Sequence, residues 1–193
     1  IYGTLGVLNL AHGAMFMLGG YAGWVAYTYT GSFVVAAIVG TLFVMIVGVV
    51  MERGIIRYFY NRPAEDQILV TFGLGIVFVE AIRFLFGSQS ESVPPPPGLV
   101  GITNLGFMIY PTYRLALFGI VVVALLVLYL VLYRTRIGMI VRAGIEDSTM
   151  VDLLGINVQR IFMLVFGIGA AAAGFAGIVN APVVSIAPDV GEQ

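Results

Sequence analysis

Five long runs of apolar residues constrain this chain more than any other feature of its sequence. A helix rises 1.5 Å per residue, so about 20 apolar residues cross a hydrocarbon core of about 30 Å. Backbone polar groups in lipid must bond within the protein, which leaves helices or closed barrels, and the runs lack the alternation of a barrel strand. The sequence therefore predicts an all-α, polytopic membrane protein with about five spanning helices. The runs are Ala14–Thr30, Phe33–Met51, Gln67–Phe86, Leu115–Tyr133 and Ile161–Val179.

Composition narrows the possible chemistry. Hydrophobic residues make up 60 % of the chain and charged residues 10 %, with a mean hydropathy of +1.04, far outside the soluble range. A net charge of −1 gives no case for nucleic-acid binding. The chain has no cysteine, and all nine basic residues are arginine. A phosphate-binding P-loop and a Schiff base both need lysine, so any ATP used by this protein must be hydrolysed by another chain.

The arginines predict the orientation. Loop 52–66 carries three arginines and stretch 134–160 carries four, whereas 31–32 and 87–112 carry no basic residue. Basic loops stay in the cytoplasm. Segments 52–66 and 134–160 are therefore predicted to be cytoplasmic, and 31–32 and 87–112 external. Four consecutive prolines at 94–97 in the external loop indicate either a rigid spacer or part of a docking surface for an extracytoplasmic partner.

Small residues recur every four positions on the first and last runs, which predicts close packing of these two helices. The fourth run is uniformly large and aliphatic, which suits a position facing lipid. The small pairs are Gly19/Gly23, Ala170/Gly174 and Ala173/Gly177.

Few polar groups lie within or beside the apolar runs. Glu80 and Arg83 lie one helical turn apart and are predicted to pair, although charged groups inside a membrane are also functional candidates. Before the first run, Asn9 and His12 lie among glycines in a segment too short to span. We expect a re-entrant half-helix there, which is tolerated only where it lines a cavity or the protein interior.

The stretch 134–160 predicts a short surface helix. Asp147 or Ser148 can cap its N-terminus, and Gly155 can end it just after Leu154. Met150, Val151 and Leu154 would share one face. Such a helix can lie on lipid or dock in a groove of another protein, and the residues alone leave both open.

Together these features resemble the permease subunits of bacterial ABC importers for branched-chain amino acids, a family that includes urea and short-chain amide permeases. Each stretch is weak alone, but their order, with helices between them, covers nearly the whole chain. The stretches are Leu8–Gly13 with the following Met17–Tyr21, Arg62-Pro63 leading into Ile68–Leu74, Arg136–Asn157, and Gly169–Gly177.

The resemblance implies a single permease domain over residues 1–193 that lacks the native N- and C-terminal parts. It implies a bacterial inner-membrane protein that moves branched-chain amino acids, or a urea-type or sugar-type solute, by alternating access. Its expected partners are ATPase subunits that bind ATP and Mg²⁺, a second permease subunit (itself or a sister), a solute-binding protein and the lipid bilayer. No cofactor is expected in this chain.

The resemblance also implies two functional regions. The Asn9/His12 segment would lie along the translocation path, where we also place Thr71 and Glu80. Stretch 142–157 would dock on the ATPase subunit, with Met150, Val151 and Leu154 inserting into its groove. The residues assigned to this coupling region are Arg142, Ala143, Glu146, Asp147, Met150, Val151, Asp152, Leu154, Gly155, Ile156 and Asn157.

Two rival functions remain at this point. An ATP-independent transporter or channel would need a buried relay of ionisable groups, for which only Glu80 qualifies. An integral membrane enzyme would need a catalytic cluster, and Asp147, Ser148 and Asp152 have no histidine or lysine beside them in sequence. We therefore expect that this chain is not an enzyme.

Overall fold

The structure is a computed structural model that describes residues 9–60, 62–104 and 109–188. Each predicted run lies inside one long helix, which confirms the polytopic helical fold, while most of the predicted half-helix (residues 1–8) lies outside the described residues. The helices are α1 His12–Thr30, α2 Phe33–Gly54, α3 Ala64–Phe86, α4 Thr112–Arg134, α5 Arg136–Glu146, α6 Ser148–Leu153 and α7 Val158–Asn180, with a 3-10 turn at Ile56–Phe59.

Four of these helices, α2, α3, α4 and α7, are long and apolar enough to cross a membrane. The 19-residue α1 is also long, but its tyrosines, threonines and glycines make it less apolar. It is largely buried between other helices, so little of it needs to face lipid. The chain is a multi-pass membrane protein in which α1 is an inner helix of the bundle.

Helices α1, α2 and α7 pack most closely on one another. A methyl group added to Gly40 of α2 would come within 2.7 Å of the Gly19 carbonyl oxygen of α1. One added to Gly174 of α7 would come within 2.7 Å of Val44 Cβ in α2. The small residues therefore let three backbones meet, as their spacing predicted.

Helix α4 lies at the periphery. Its most apolar window has no buried residue, and its one buried side chain, Tyr113, donates a hydrogen bond of 2.6 Å to the Val179 carbonyl oxygen of α7. This hydrogen bond holds the N-terminal end of α4 against the bundle. The exposed surface of α4 agrees with the predicted lipid-facing position of the fourth run, which stays a prediction.

The loop between α3 and α4 contains structure that hydropathy did not predict. Strands β1 Ile102–Asn104 and β2 Ile109–Pro111 form an antiparallel hairpin in which Thr103 lies opposite Tyr110. Glu91, which precedes this hairpin in the chain, exchanges two backbone hydrogen bonds of 2.8 Å with Ile186. The loop after α3 is thus fastened to the segment that follows α7.

Candidate translocation path and coupling surface

The residues just before α1 are anchored on α3 through one threonine. The Thr71 hydroxyl is fully buried, accepts a hydrogen bond of 3.1 Å from the Leu10 amide and donates one of 2.8 Å to the Gln67 carbonyl oxygen. Asn9 Oδ1 accepts from the Ala11 amide at 3.0 Å. The structure therefore brings Asn9 and Thr71, two residues assigned to the translocation path, into one polar cluster.

This cluster lies along α3, a helix apolar enough to cross a membrane, rather than at its end. Thr71 is seven residues into α3, so its level is roughly 10 Å from the start of that helix. Asn9 Nδ2 is buried and has no hydrogen-bond partner among the described residues. A buried amide donor without a protein partner is costly unless a polar solute or water reaches it, which is a property expected of a path-lining group.

His12 differs from its neighbours in this cluster. It is the first residue of α1 and its side chain is exposed in the described part of the chain, whereas Thr71 is fully buried. Gly13, which follows it, continues the helix rather than breaking it. The assignment of His12 to the path stays a prediction.

Glu80 is not part of the cluster. Its Oε1 lies 2.7 Å from Arg83 Nη1, and the side chains of Arg83 and Glu80 are 32 % and 59 % exposed. Nine residues separate Glu80 from Thr71, which turns the two side chains to opposite faces of α3 and separates them by roughly 13 Å along the axis. The predicted pairing is confirmed, and the structure does not place Glu80 with the other path residues.

A second candidate site is formed by α5 and α6 on the arginine-rich side. The Thr135 hydroxyl caps α5 by accepting from the Gly138 amide at 3.2 Å. Gly138 itself lies against the Leu132 backbone at the end of α4, where a side chain would overlap. Arg142 donates to the Leu132 carbonyl oxygen and lies 4.9 Å from the Tyr133 ring centroid. These contacts fix α5 to the last turn of α4.

Helix α6 has defined stops at both ends. Asp147 accepts a hydrogen bond of 2.9 Å from the Met150 amide, so it is the N-cap. At the other end Gly155 has a φ of +79°, its amide donates to the Asp152 carbonyl oxygen, and the Ile156 amide donates to the Val151 carbonyl oxygen. This pair of bonds is a Schellman motif, which favours glycine at the left-handed position. The predicted short helix is confirmed, with Asp147 as its cap.

The exposed apolar face of α6 differs from the predicted one. Met150, Leu153 and Leu154 are 57 %, 79 % and 73 % exposed, at the i, i+3, i+4 spacing of one helix face. Val151 is buried, with 4 % exposed, so it packs inside the chain and cannot insert into a partner. Val151 is therefore not on the exposed apolar face to which the prediction assigned it, whereas Leu153, which the prediction omitted, is. That this face docks on a partner stays a prediction.

Other residues assigned to coupling have structural roles or lie at the surface. Asn157 caps α7, because its Oδ1 accepts from the Arg160 amide at 3.0 Å. The Ala143 carbonyl oxygen accepts the backbone bond from Asp147 that ends α5. Glu146 before α6 and Asp152 within it are both exposed, and Ile156 after it is half-buried.

Two features of these sites were missed at the sequence level. Helix α5 was not predicted, although Ile137, Ile140 and Val141 recur at the i, i+3, i+4 spacing that would have indicated it. Gln67 was treated as the start of a run, yet its side-chain amide donates to the Phe59 and Arg62 carbonyl oxygens at 3.0 and 3.1 Å. It fastens the loop between α2 and α3 next to the polar cluster.

Comparison with known proteins places this architecture in a family. The family described as "Branched-chain amino acid transport system / permease component" matches residues 1–192. The high-affinity branched-chain amino acid transport system permease protein BraD of Pseudomonas aeruginosa is 27 % identical over 195 residues, covering 93 % of this chain and 62 % of its own length.

Two further relatives agree. Permease protein LivH of the same kind of system in Escherichia coli K12 is 29 % identical, covering 93 % of this chain and 62 % of LivH. A probable LivH of Methanocaldococcus jannaschii is 27 % identical over 99 % of this chain and 62 % of its own length. No solved structure matches. The chain thus spans about 62 % of the length of the curated relatives it matches. It belongs to the family of permease components of branched-chain amino acid transport systems.

Proposed function

We propose that this chain is part of the permease subunit of an ATP-driven importer that moves branched-chain amino acids, or a similar small solute, across the bacterial inner membrane. ATP is bound and hydrolysed by separate ATPase subunits, and this chain contributes no catalytic step. A second permease subunit and an extracytoplasmic solute-binding protein complete the assembly. The family match over residues 1–192 supports the transport function.

The observation that carries the coupling role is α6. Capping at both ends defines the helix despite its six residues, and three large apolar side chains on it and its C-cap remain exposed. A short helix of this kind fits a groove on a partner protein, where burying each side chain contributes about 1.5–3 kcal/mol. Helix α5 is fixed to α4, and α6 follows α5 directly. A displacement of α6 by a partner would therefore be transmitted through α5 to the bundle.

The translocation path is proposed to pass the polar cluster beside α1 and α3. The buried Nδ2 of Asn9 is a donor without a partner among the described residues, and Thr71 holds the adjacent backbone in place. A zwitterionic amino acid carries a carboxylate that such donors can bind. Movement of α1 against α3 would then open or close the path.

Co-purification of an ATPase subunit tests the coupling role. A tagged permease containing this chain is expressed with its ATPase subunit and compared with a variant carrying Leu153→Asp and Leu154→Asp. We expect the variant to recover at least about tenfold less ATPase, because carboxylates cannot be buried in an apolar groove without a large cost.

The matched control replaces the same two leucines with methionine, which keeps size and apolarity. It should recover ATPase at the wild-type level. Both variants must remain in the membrane fraction at normal abundance. Wild-type recovery by the aspartate variant would remove α6 as the docking element.

A further inference from the structure

A cavity of about 370 Å³ lies on the arginine-rich side, where α2 ends and α7 begins. Its size falls within the range of about 300–1,000 Å³ found for small-molecule sites. Arg53 and Arg57 line it from the α2 side, and Arg160 lines it from the first turn of α7. Helices α2 and α7 are both apolar enough to span, and the cavity lies at the end of one and the start of the other, where we expect them to meet the membrane surface.

The cavity holds an excess of positive charge. Three guanidinium groups line it against a single carboxylate, Glu52. Among the described residues, none of these three arginines forms an ion pair, and Arg57 donates only to the Tyr58 hydroxyl at 3.0 Å. Arg160 also stands in the first turn of α7, where the helix dipole disfavours a cation. An anion in the cavity would compensate for both effects.

The wall of the cavity is well defined. Glu52 is 2 % exposed and accepts a hydrogen bond of 3.0 Å from the Tyr60 hydroxyl. Burial and the adjacent Glu52 raise the pKa of Tyr60, so the hydroxyl keeps the proton that it donates. The Tyr60 ring packs edge-on against the Phe162 ring of α7, with the two ring centroids 5.7 Å apart. Glu52 is therefore held by Tyr60. It also attracts Arg53 and Arg57, but one carboxylate balances only one of the three guanidinium charges that line the cavity.

The rest of the lining indicates what kind of anion fits. Met163 and Leu164, one turn further into α7, give the cavity an apolar side directed along the spanning helix. A phosphate group suits clustered arginines, because guanidinium groups bind its oxygens in a bidentate manner. We propose that this cavity binds the phosphate head group of an anionic phospholipid of the cytoplasmic leaflet, with the start of its acyl chains against Met163 and Leu164. The site does not depend on which solute is transported.

Native mass spectrometry of the full-length permease in detergent tests this site. The protein is titrated with phosphatidylglycerol, with phosphatidylcholine and with inorganic phosphate. We expect one phosphatidylglycerol to remain bound per chain and phosphatidylcholine to bind at least tenfold more weakly. Replacing Arg53, Arg57 and Arg160 with glutamine should weaken the phosphatidylglycerol adduct at least tenfold, and Arg160→Gln alone should weaken it measurably.

The control carries Arg62→Gln, Arg134→Gln and Arg136→Gln, which removes the same charge from the same side without touching the cavity. It should retain the lipid. Equal loss in both triple variants would reduce the effect to general electrostatic attraction and overturn the site. Retention by the cavity variant would overturn it as well.

Inorganic phosphate displacing phosphatidylglycerol at equal concentration would reassign the cavity to free phosphate. Loss of ATPase recovery with lipid binding unchanged would reassign it to a protein contact.

Discussion

Burial does not follow apolarity in this bundle. The group formed by α1, α2 and α7 is closely packed, whereas the outlying helix α4 is not. Helix α4 is the most apolar of the spanning helices and has no buried residue in its most apolar window, whereas α7 is less apolar and has 44 % of its window buried. Lipid is as apolar as a leucine side chain, so hydrophobicity does not drive helices together inside a membrane. Side-chain size separates the two regions, because glycine and alanine allow close backbone contact.

Adding one methyl group in each region is expected to have very different effects on stability. Gly19→Ala in α1 would push a methyl group into the Gly174 backbone of α7. We expect a loss of about 1–3 kcal/mol or more of folding free energy, the usual cost of overpacking. Thermal unfolding of the purified protein, followed by size-exclusion chromatography, measures it.

Gly119→Ala in α4 is the matched control. Nothing lies within 4 Å of the position of the added methyl group, and alanine favours a helix over glycine by up to about 1 kcal/mol. Stability should stay the same or rise slightly. Equal losses in the two variants would contradict the division into a packed group and a peripheral helix.

The link between α1 and α3 allows a second test. Thr71→Val keeps the shape of the side chain but leaves the Leu10 amide without the acceptor of its part-buried hydrogen bond. We expect a loss of about 1–3 kcal/mol, together with reduced uptake in cells. Thr71→Ser retains the hydroxyl and should restore both. Normal stability of the valine variant would show that the segment before α1 is held by other contacts.

Removing the N-cap of α6 is expected to have a smaller effect on stability, confined to that helix. Asp147→Ala removes the N-cap and should cost about 1 kcal/mol of helix stability. Faster hydrogen exchange confined to residues 148–154 would report it, with the melting temperature of the bundle nearly unchanged. Asp147→Asn should exchange like the wild type, since asparagine caps equally well. Exchange spreading into α4 or α7 would mean that α6 is not a separate unit.

The smallest effect is expected at the Glu80–Arg83 pair. The pair is partly exposed, and such pairs contribute about 0–1 kcal/mol. Glu80→Gln should leave the melting temperature within a few degrees of the wild type. If uptake falls sharply while stability stays the same, Glu80 belongs to the translocation path despite its distance from Thr71.

The sequence was sufficient for the long helices because their apolar runs are dictated by the bilayer. It was also sufficient for α6, since Asp147 and Gly155 are local signals that act within one helical turn. The direction of Val151 was not predictable, because two neighbouring faces of a six-residue helix are both apolar and tertiary contacts decide which one is buried. The cavity at Arg53 and Arg160 needed the structure, as 107 positions separate the two residues in the chain.

Site-directed cross-linking tests the central claim most directly, because this chain contains no cysteine. A photoreactive maleimide is attached to Leu154→Cys, and in a second variant to Val151→Cys, within the assembled transporter. The docking role of α6 predicts a strong adduct with the ATPase subunit from position 154 and little from the buried position 151. An adduct with lipid alone from position 154, or equal ATPase adducts from both positions, would contradict it.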